Sequence, residues 1–460
     1  MRICAGLPAV RRSIRGTFVM TQTGCFKDFL HYAFLNVLGM IGLSCYILAD
    51  TFFISRGMGA DGLTALNLAI PVFSLISGCG QMFAMGGAIK YTILNSQGNS
   101  KDANLVFTNT LWLSVLFSLV FVLSGILIPG KIAHLLGADR TVFTMTKTYL
   151  QVLLVFSPFF MLNYLFQNFV RNDKAPKLAM IAMLSGSLAN IALDYVFIFP
   201  LQLGILGAVL ATCCAPIISM LILYRHRRRR KNGFHLVKTG FCGWMIKTVC
   251  SLGFPSLITE ISSGIVILVF NRILIPMTGN IGVAAYGVIA NLSLVVLSIY
   301  TGIAQGMQPL VSQAYGTGNS DRLKRTLHYA LTSVVLLSAL LYTIIFVWAA
   351  PITAIFNEEG NRQLAAIAVP GLRIYFSGAV FAGINIVFTL FFAASEQARA
   401  SQTVTLLRGL ILIIPSAFLL AAVFGTNGVW LSFPVTEFIV SVLGSILYFV
   451  GKKVSIDAAF

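Results

Sequence analysis

Gly98-Asn99-Ser100 and, at an offset of 220, Gly318-Asn319-Ser320 are the same three residues, each closing a long apolar stretch. The recurrence extends outward from them. At the same offset Gly59, Gly62, Ala65 and Gly86 meet Gly279, Gly282, Ala285 and Gly306; at an offset of 221, Gly204 and Gly207 meet Gly425 and Gly428. A repeat that fills a chain of 460 residues reads as a duplication. Because each copy holds an even number of apolar stretches, both enter the membrane from the same side. The symmetry axis then runs along the membrane normal, and a central cleft lies between the copies.

Composition sets the solvent. Hydrophobic residues make up 57% of the chain and charged residues 10%, with a mean hydropathy of +0.88; a soluble domain carries about a quarter charged residues. A helix of about 20 apolar residues crosses a bilayer. The sequence predicts twelve: 28–54, 64–88, 105–128, 149–170, 178–199, 204–224, 248–276, 283–309, 328–350, 367–392, 404–424 and 428–450. The expected fold is an all-α integral membrane protein with twelve transmembrane helices in two pseudo-symmetric six-helix lobes. Its parts are an N-terminal segment 1–27, a first lobe 28–224, a basic linker 225–247, a second lobe 248–450 and a tail 451–460. No length remains for a soluble catalytic domain.

The formal net charge of +18 would suggest nucleic acid on a soluble domain, but here position along the spans decides its meaning. Of 32 Lys and Arg, only Arg56, Lys131, Arg140, Lys147 and Arg362 fall on predicted outer segments. Both termini are therefore expected in the cytoplasm, in a multi-pass chain of the plasma membrane, with lipids and no nucleic acid as partners. The run Arg225-His226-Arg227-Arg228-Arg229-Arg230-Lys231 reads as a topology anchor rather than an anionic-lipid site. Eight cysteines without a C-x-x-C pair sit in predicted helices or on the cytoplasmic side and read as packing residues. Residues 1–19 lack a continuous apolar core and a cleavage site, and Met20 is the expected start.

Charged side chains inside a span cost about 2.5–3.5 kcal/mol each on insertion scales, so each one is a functional candidate. Four acids qualify: Asp50, Asp194, Glu260 and Glu437. The repeat duplicates none of them, placing Phe270, Pro415, Met40 and Pro216 opposite, so the lobes share a scaffold and differ in chemistry. Asn190 and Asp194 are four apart on one helical face, and helix one carries Asp50 to a similar depth. Such a pocket makes a proton or Na+ site; the plainer alternative is that the acids tie helices together by hydrogen bonds. Glu260 and Glu437 are candidates for substrate or a second cation. Arg272, Arg373 and Arg408 lie near span ends and are expected to snorkel as anchors, although pairing with the acids is open to them. With 36 Phe and 14 Met, an apolar cavity for flat organic cations is within the composition.

Enzyme signals are absent. Gly125 to Lys131 fits G-x-x-x-x-G-K, but Ile132 stands where Mg²⁺ needs a hydroxyl. There is no H-E-x-x-H and no G-x-S-x-G.

Ala49-Asp50-Thr51-Phe52-Phe53-Ile54 with Gly57 to Ala65, Asn190-Ile191-Ala192-Leu193-Asp194, Gly204 to Thr212, Gly253-Phe254-Pro255 leading to Glu260, and Gln305 to Gly318 stand in order along nearly the whole chain. In these motifs the chain resembles the multidrug and toxic compound extrusion (MATE) transporters, particularly the DinF-like and MepA-like prokaryotic branch. The resemblance implies antiport in which H+ or Na+ entry drives out cationic amphipathic molecules by alternating access of two lobes. It implies that Asp50, Asn190, Asp194 and Thr212 form the cation-coupling cluster, with Na+ as the possible metal, and that Glu260 matches an acidic position of helix seven. No cofactor beyond the coupling ion is implied, and a monomer is expected. One departure is Leu35, where the family often has proline in helix one; bending at that point is not available here. The alternatives are a flippase for lipid-linked precursors, which the mid-span acids argue against, and a membrane-embedded enzyme, for which no nucleophile or metal cluster is found.

Overall fold

The computed structural model describes residues 22–228, 232–357 and 361–457. Met20, most of segment 1–27 and the last residues of the tail lie outside them. Among the described residues every regular element is a helix: α1 Gln22–Ser96, α2 Ser100–Leu127, α3 Pro129–Leu135, α4 Phe143–Val155, α5 Ser157–Asn172, α6 Pro176–Ile198, α7 Gly204–Arg228, α8 Gly243–Gly316, α9 Ser320–Val347, α10 Ala349–Ile355, α11 Arg362–Phe376, α12 Ala379–Ala394, α13 Ala398–Leu406, a π turn Leu407–Ile411, α14 Ile413–Phe424 and α15 Thr426–Asp457.

At 75 and 74 residues, α1 and α8 are far too long to cross once, since a straight helix of that length extends about 110 Å against a hydrocarbon layer of about 30 Å. Each turns back. Gly59 (φ 64, ψ −151) and Gly279 (φ 62, ψ −153) interrupt the two helices at repeat-related positions, in a conformation open only to glycine. Contacts show the reversal: Ala33 near the start of α1 touches Gly306, and Ile93 near its end touches Gly316, so both ends of α1 lie beside the last turns of α8. Two more crossings are bent pairs, α4 with α5 at 47° and α11 with α12 at 45°. Counting α1 and α8 twice and each bent pair once, the apolar helices make twelve crossings.

The sequence predicts one span each at 149–170 and 367–392, and the bends within them have local causes. Pro158 lacks the N–H that would bond Leu154. At the second bend, Ser377 and Gly378 donate only three residues back, to Ile374 and Tyr375. The span predicted over 404–424 carries the π turn, in which Leu412 N donates to Leu407 O five residues back; Pro415 has no N–H to offer Ile411. The pseudo-symmetry reaches backbone detail: Asn99 and Asn319 cap α2 and α9 by accepting from Asp102 N and Arg322 N, and Lys174 and Glu396, at φ 64 and 58, close α5 and α12. The segment read as a linker from residue 225 is partly helical, because α7 runs through Arg228, whereas Arg229, Arg230 and Lys231 lie outside the described residues.

Each half has its own core. Phe83, Tyr149, Leu153 and Met161 are buried in the first, and Tyr286, Tyr300, Phe376 and Trp430 in the second, while the outward face of α2 shows Trp112, Leu116, Leu119 and Leu123 to lipid. Lipid supplies no hydrophobic drive between helices, so the halves meet by close backbone approach. A Cβ on Gly253 would stand 1.7 Å from Met82 O, and one on Gly86 1.9 Å from Val249 O. Gly253→Ala is accordingly expected to cost the closed packing about 1–3 kcal/mol, shifting the population toward separated halves by roughly 5- to 150-fold. The distance between spin labels at the exposed positions Gln97 and Gln397 checks this; an unchanged distance distribution would count against so tight a seam.

Candidate functional site

Three contacts set the register of α1 on α6: Gly39 lies against Met183, Gly42 against Leu184 and Ser187, and Gly57 against Ile198. Asp50 falls between the last two and so faces the turn carrying Asn190 and Asp194. The small residues are what allow this approach. Gly186 of α6 meets Ala215 and Ser219 of α7, and Gly207 of α7 meets Phe197 O, which brings Thr212 level with Asn190.

Asn190 and Asp194 are fully buried, and Asp50 and Thr212 are buried with them. With the Asn190 amide oriented to satisfy both neighbours, its nitrogen donates to Asp194 Oδ2 at 3.2 Å and its oxygen accepts from Thr212 N at 3.2 Å. The Thr212 hydroxyl donates to Ala208 O at 3.1 Å. Pro216, one turn on, has no N–H, so the Thr212 carbonyl loses its helical donor and is a further oxygen at the site. Asp50 Oδ1 and Asp194 Oδ1 are buried without a hydrogen-bond partner. An unsatisfied buried polar atom costs about 1–3 kcal/mol, and more when charged. Two such oxygens, with an amide and a hydroxyl beside them, suit a proton or a hard monovalent cation held by oxygen.

Below this cluster a narrow cavity of about 70 Å³ runs past Tyr46, Tyr164 and Gln167 from Thr212 to Arg171 and Gln305. It ends on a layer of polar side chains joining the halves. Arg171 Nη1 donates to Asn36 Oδ1 at 2.9 Å and to Gln305 Oε1 at 2.6 Å, and its other nitrogen bonds Asn168. Asn172 and Gln308 exchange two amide bonds at 3.0 and 3.1 Å. Lys90 pairs with Glu396 at 2.6 Å and Arg322 with Asp28 at 3.3 Å on the same side of the membrane. At that face the halves are closed.

Glu260 lies where α8 meets α1, against Gly78. Glu437 is elsewhere in the second half. Arg408, expected to snorkel to a membrane face, turns inward and donates to Glu437 Oε1 from Nη2 at 2.8 Å and from Nε at 3.2 Å; the π turn aims it there. Asn385 completes the group by donating to Glu437 Oε2 at 2.6 Å. Arg272 and Arg373 are exposed, the latter with its guanidinium 4.9 Å from the Phe346 ring centre. Thus Asp50, Asn190, Asp194 and Thr212 are brought together, while among the described residues neither Glu260 nor Glu437 hydrogen-bonds to them or to the other.

The family model described as MatE matches residues 37–196 and 255–419, one stretch in each copy of the repeat. The chain belongs to the MatE family. Curated relatives of this MATE chain include the multidrug export protein MepA of Staphylococcus saprophyticus, 25% identical over 96% of this chain and 98% of that one. The MepA of Staphylococcus haemolyticus is likewise 25% identical, over 96% and 97%. Among solved structures, an outward-facing multidrug resistance MATE transporter of the MOP superfamily superposes with a TM-score of 0.87 at 22% identity, over 94% of this chain and 96% of that one. The two MepA relatives are named as multidrug export proteins, not enzymes. The Arg171 layer is not among the features that the sequence predicts: Arg171 falls just past the span at 149–170, and its signal is two amides three apart inside an apolar span, Gln305, which accepts from Arg171, and Gln308, which pairs with Asn172.

Proposed function

We propose that the protein is a secondary-active multidrug exporter that exchanges H+ or Na+ for cationic amphipathic small molecules by alternating access of its two lobes. The observation that carries this reading is the pair of buried, unpartnered carboxylate oxygens on Asp50 and Asp194. In this account Asp50, Asn190, Asp194 and Thr212 hold the coupling ion, whether a proton on a carboxylate or Na+ among the four side chains and the Thr212 carbonyl. Glu260, at the seam between the lobes, is better placed to meet a substrate cation than Glu437, whose charge Arg408 balances.

A ligand shifts an equilibrium between two lobe arrangements only by its differential affinity for them. A carboxylate pair that is costly when empty and relieved when loaded supplies such a difference. The cavity from Thr212 to Arg171 gives it a route to the inter-lobe layer, where two lobe arrangements would differ in hydrogen bonding. One cation out for one proton in is electroneutral and is driven by the pH gradient alone. A second bound ion adds the membrane potential, about 2.3 kcal/mol per charge at 100 mV. The setting is a monomer in the plasma membrane with both termini cytoplasmic, as the distribution of Lys and Arg suggests.

The test is reconstitution in liposomes with a fluorescent organic cation under an imposed pH or Na+ gradient. Gradient-driven movement is expected under one of the two, and that one names the ion. No movement under either would overturn the exporter reading in favour of a flippase.

A further inference from the structure

Residues 232–242 form a non-helical strap along α2, with no strand beside it among the described residues. Its backbone is held by side chains instead: His235 N donates to Asn104 Oδ1 at 2.7 Å, Val237 N to Thr108 Oγ1 at 3.1 Å and Cys242 N to Asn109 Oδ1 at 3.1 Å. At its start Gly233 N donates to Asp173 Oδ2 at 2.6 Å. The strap does not close fully on the helices. Between it and α2, α5 and α7 lies a cavity of about 320 Å³, in the size range of small-molecule sites.

The lining is graded. Deep in the cavity are Phe107, Phe166 and Leu223; at its rim are Arg227 and His235. Along α7 the change from Met220 to Arg227 takes about 10 Å, from apolar wall to charged end. Two flanking residues, Tyr224 and Leu236, are 58% and 60% exposed, so the groove opens to the side of the bundle at a membrane face. Asp173, at the start of the strap, is engaged by His226 at 2.8 Å, by the Tyr91 hydroxyl at 3.0 Å and by Gly233 N. The lining itself holds the Arg227 guanidinium and no carboxylate, so the rim would repel the organic cations of the exporter reading. An amphiphile with an apolar tail and an anionic head matches both ends.

We propose that this groove binds one acyl chain of an anionic phospholipid from the adjacent leaflet, with the phosphate at Arg227 and His235, which gives Arg227 a lipid-binding role in place of the pure topology anchor that its basic run suggests. The inference is independent of the coupling cluster and of the exported substrate. Basic pockets between transmembrane helices have this chemistry in general.

The experiment uses the full-length protein in phosphatidylcholine vesicles doped with phosphatidylglycerol carrying a diazirine at the end of one acyl chain; a parallel sample carries the same chain on phosphatidylcholine. After illumination, peptide mass spectrometry maps the adducts. Phosphatidylglycerol is expected to label Phe107, Phe166 or Leu223, and phosphatidylcholine the exposed lipid-facing residues such as Leu221. Arg227 is exposed, so Arg227→Gln is expected to fold normally and to lower the phosphatidylglycerol adducts about five-fold, the contribution of one basic residue near an anionic surface. Leu111→Trp, which fills the groove from the half-buried side of α2, is expected to remove them, with melting in detergent as the folding control. The same adducts from both lipids, none on the lining, or full labelling in Arg227→Gln would each overturn the proposal.

Discussion

Asp194→Asn is expected to abolish gradient-driven export while leaving the protein folded and still able to bind substrate. Asparagine has the shape of the aspartate it replaces, and its carbonyl oxygen can still accept the bond from the Asn190 nitrogen that Asp194 Oδ2 accepts at 3.2 Å. What disappears is the negative charge and the proton-accepting oxygen. A charge-assisted contact contributes about 1.5–3 kcal/mol, so affinity for the coupling ion should fall by roughly 10- to 150-fold. Stability should not fall with it, because the variant removes a buried carboxylate that has an unpartnered oxygen. Flux in liposomes and substrate binding in detergent, measured on the same preparation, separate the two effects. Asp50→Asn should behave alike. If Asp194→Asn exports at the wild-type rate, the coupling role passes to Glu260.

The largest effect on stability is expected at the ion pair of the second half. Arg408 and Glu437 have side chains only 12% and 4% exposed, and Asn385 holds the second carboxylate oxygen. Forming such a pair requires stripping water from both charges, so its net contribution is small, yet removing one partner leaves the other buried and uncompensated. Arg408→Leu should therefore destabilise the protein by about 3–5 kcal/mol, whereas Arg408→Met combined with Glu437→Leu should recover most of the loss. Thermal unfolding in one detergent, compared across single and double variants, decides it. Equal losses in both would mean that packing around α13 to α15, rather than the charge pair, is what Arg408 supports.

Why some of this was legible in the sequence and some was not has physical causes. The twelve crossings follow from local composition, and the two-copy plan from glycines such as Gly59 and Gly279, where the backbone demands the residue and the residue betrays the backbone. The approach of Asn190 and Asp194 follows from a four-residue spacing on one helix, and their depth relative to Asp50 from span lengths. Arg408 and Glu437 were different. They sit on separate helices 29 residues apart, and the π turn that rotates Arg408 inward depends on Pro415 seven positions later. Periodicity assumes a regular helix and cannot register that rotation. The bends before Ser157 and Ala379 were hidden for the same reason, and Arg171 because a span end read from hydropathy stops short of it.

The most direct test of the coupling site asks whether substrate and ion compete. Purified protein in weakly buffered detergent is mixed with an excess of a fluorescent organic cation, and the protons or radioactive Na+ released are counted against the substrate bound. Wild type should release one ion species in proportion to substrate bound, and the Asp50→Asn, Asp194→Asn double variant should bind substrate and release none. Undiminished release from the double variant, or binding to wild type with no release of either ion, would contradict the account.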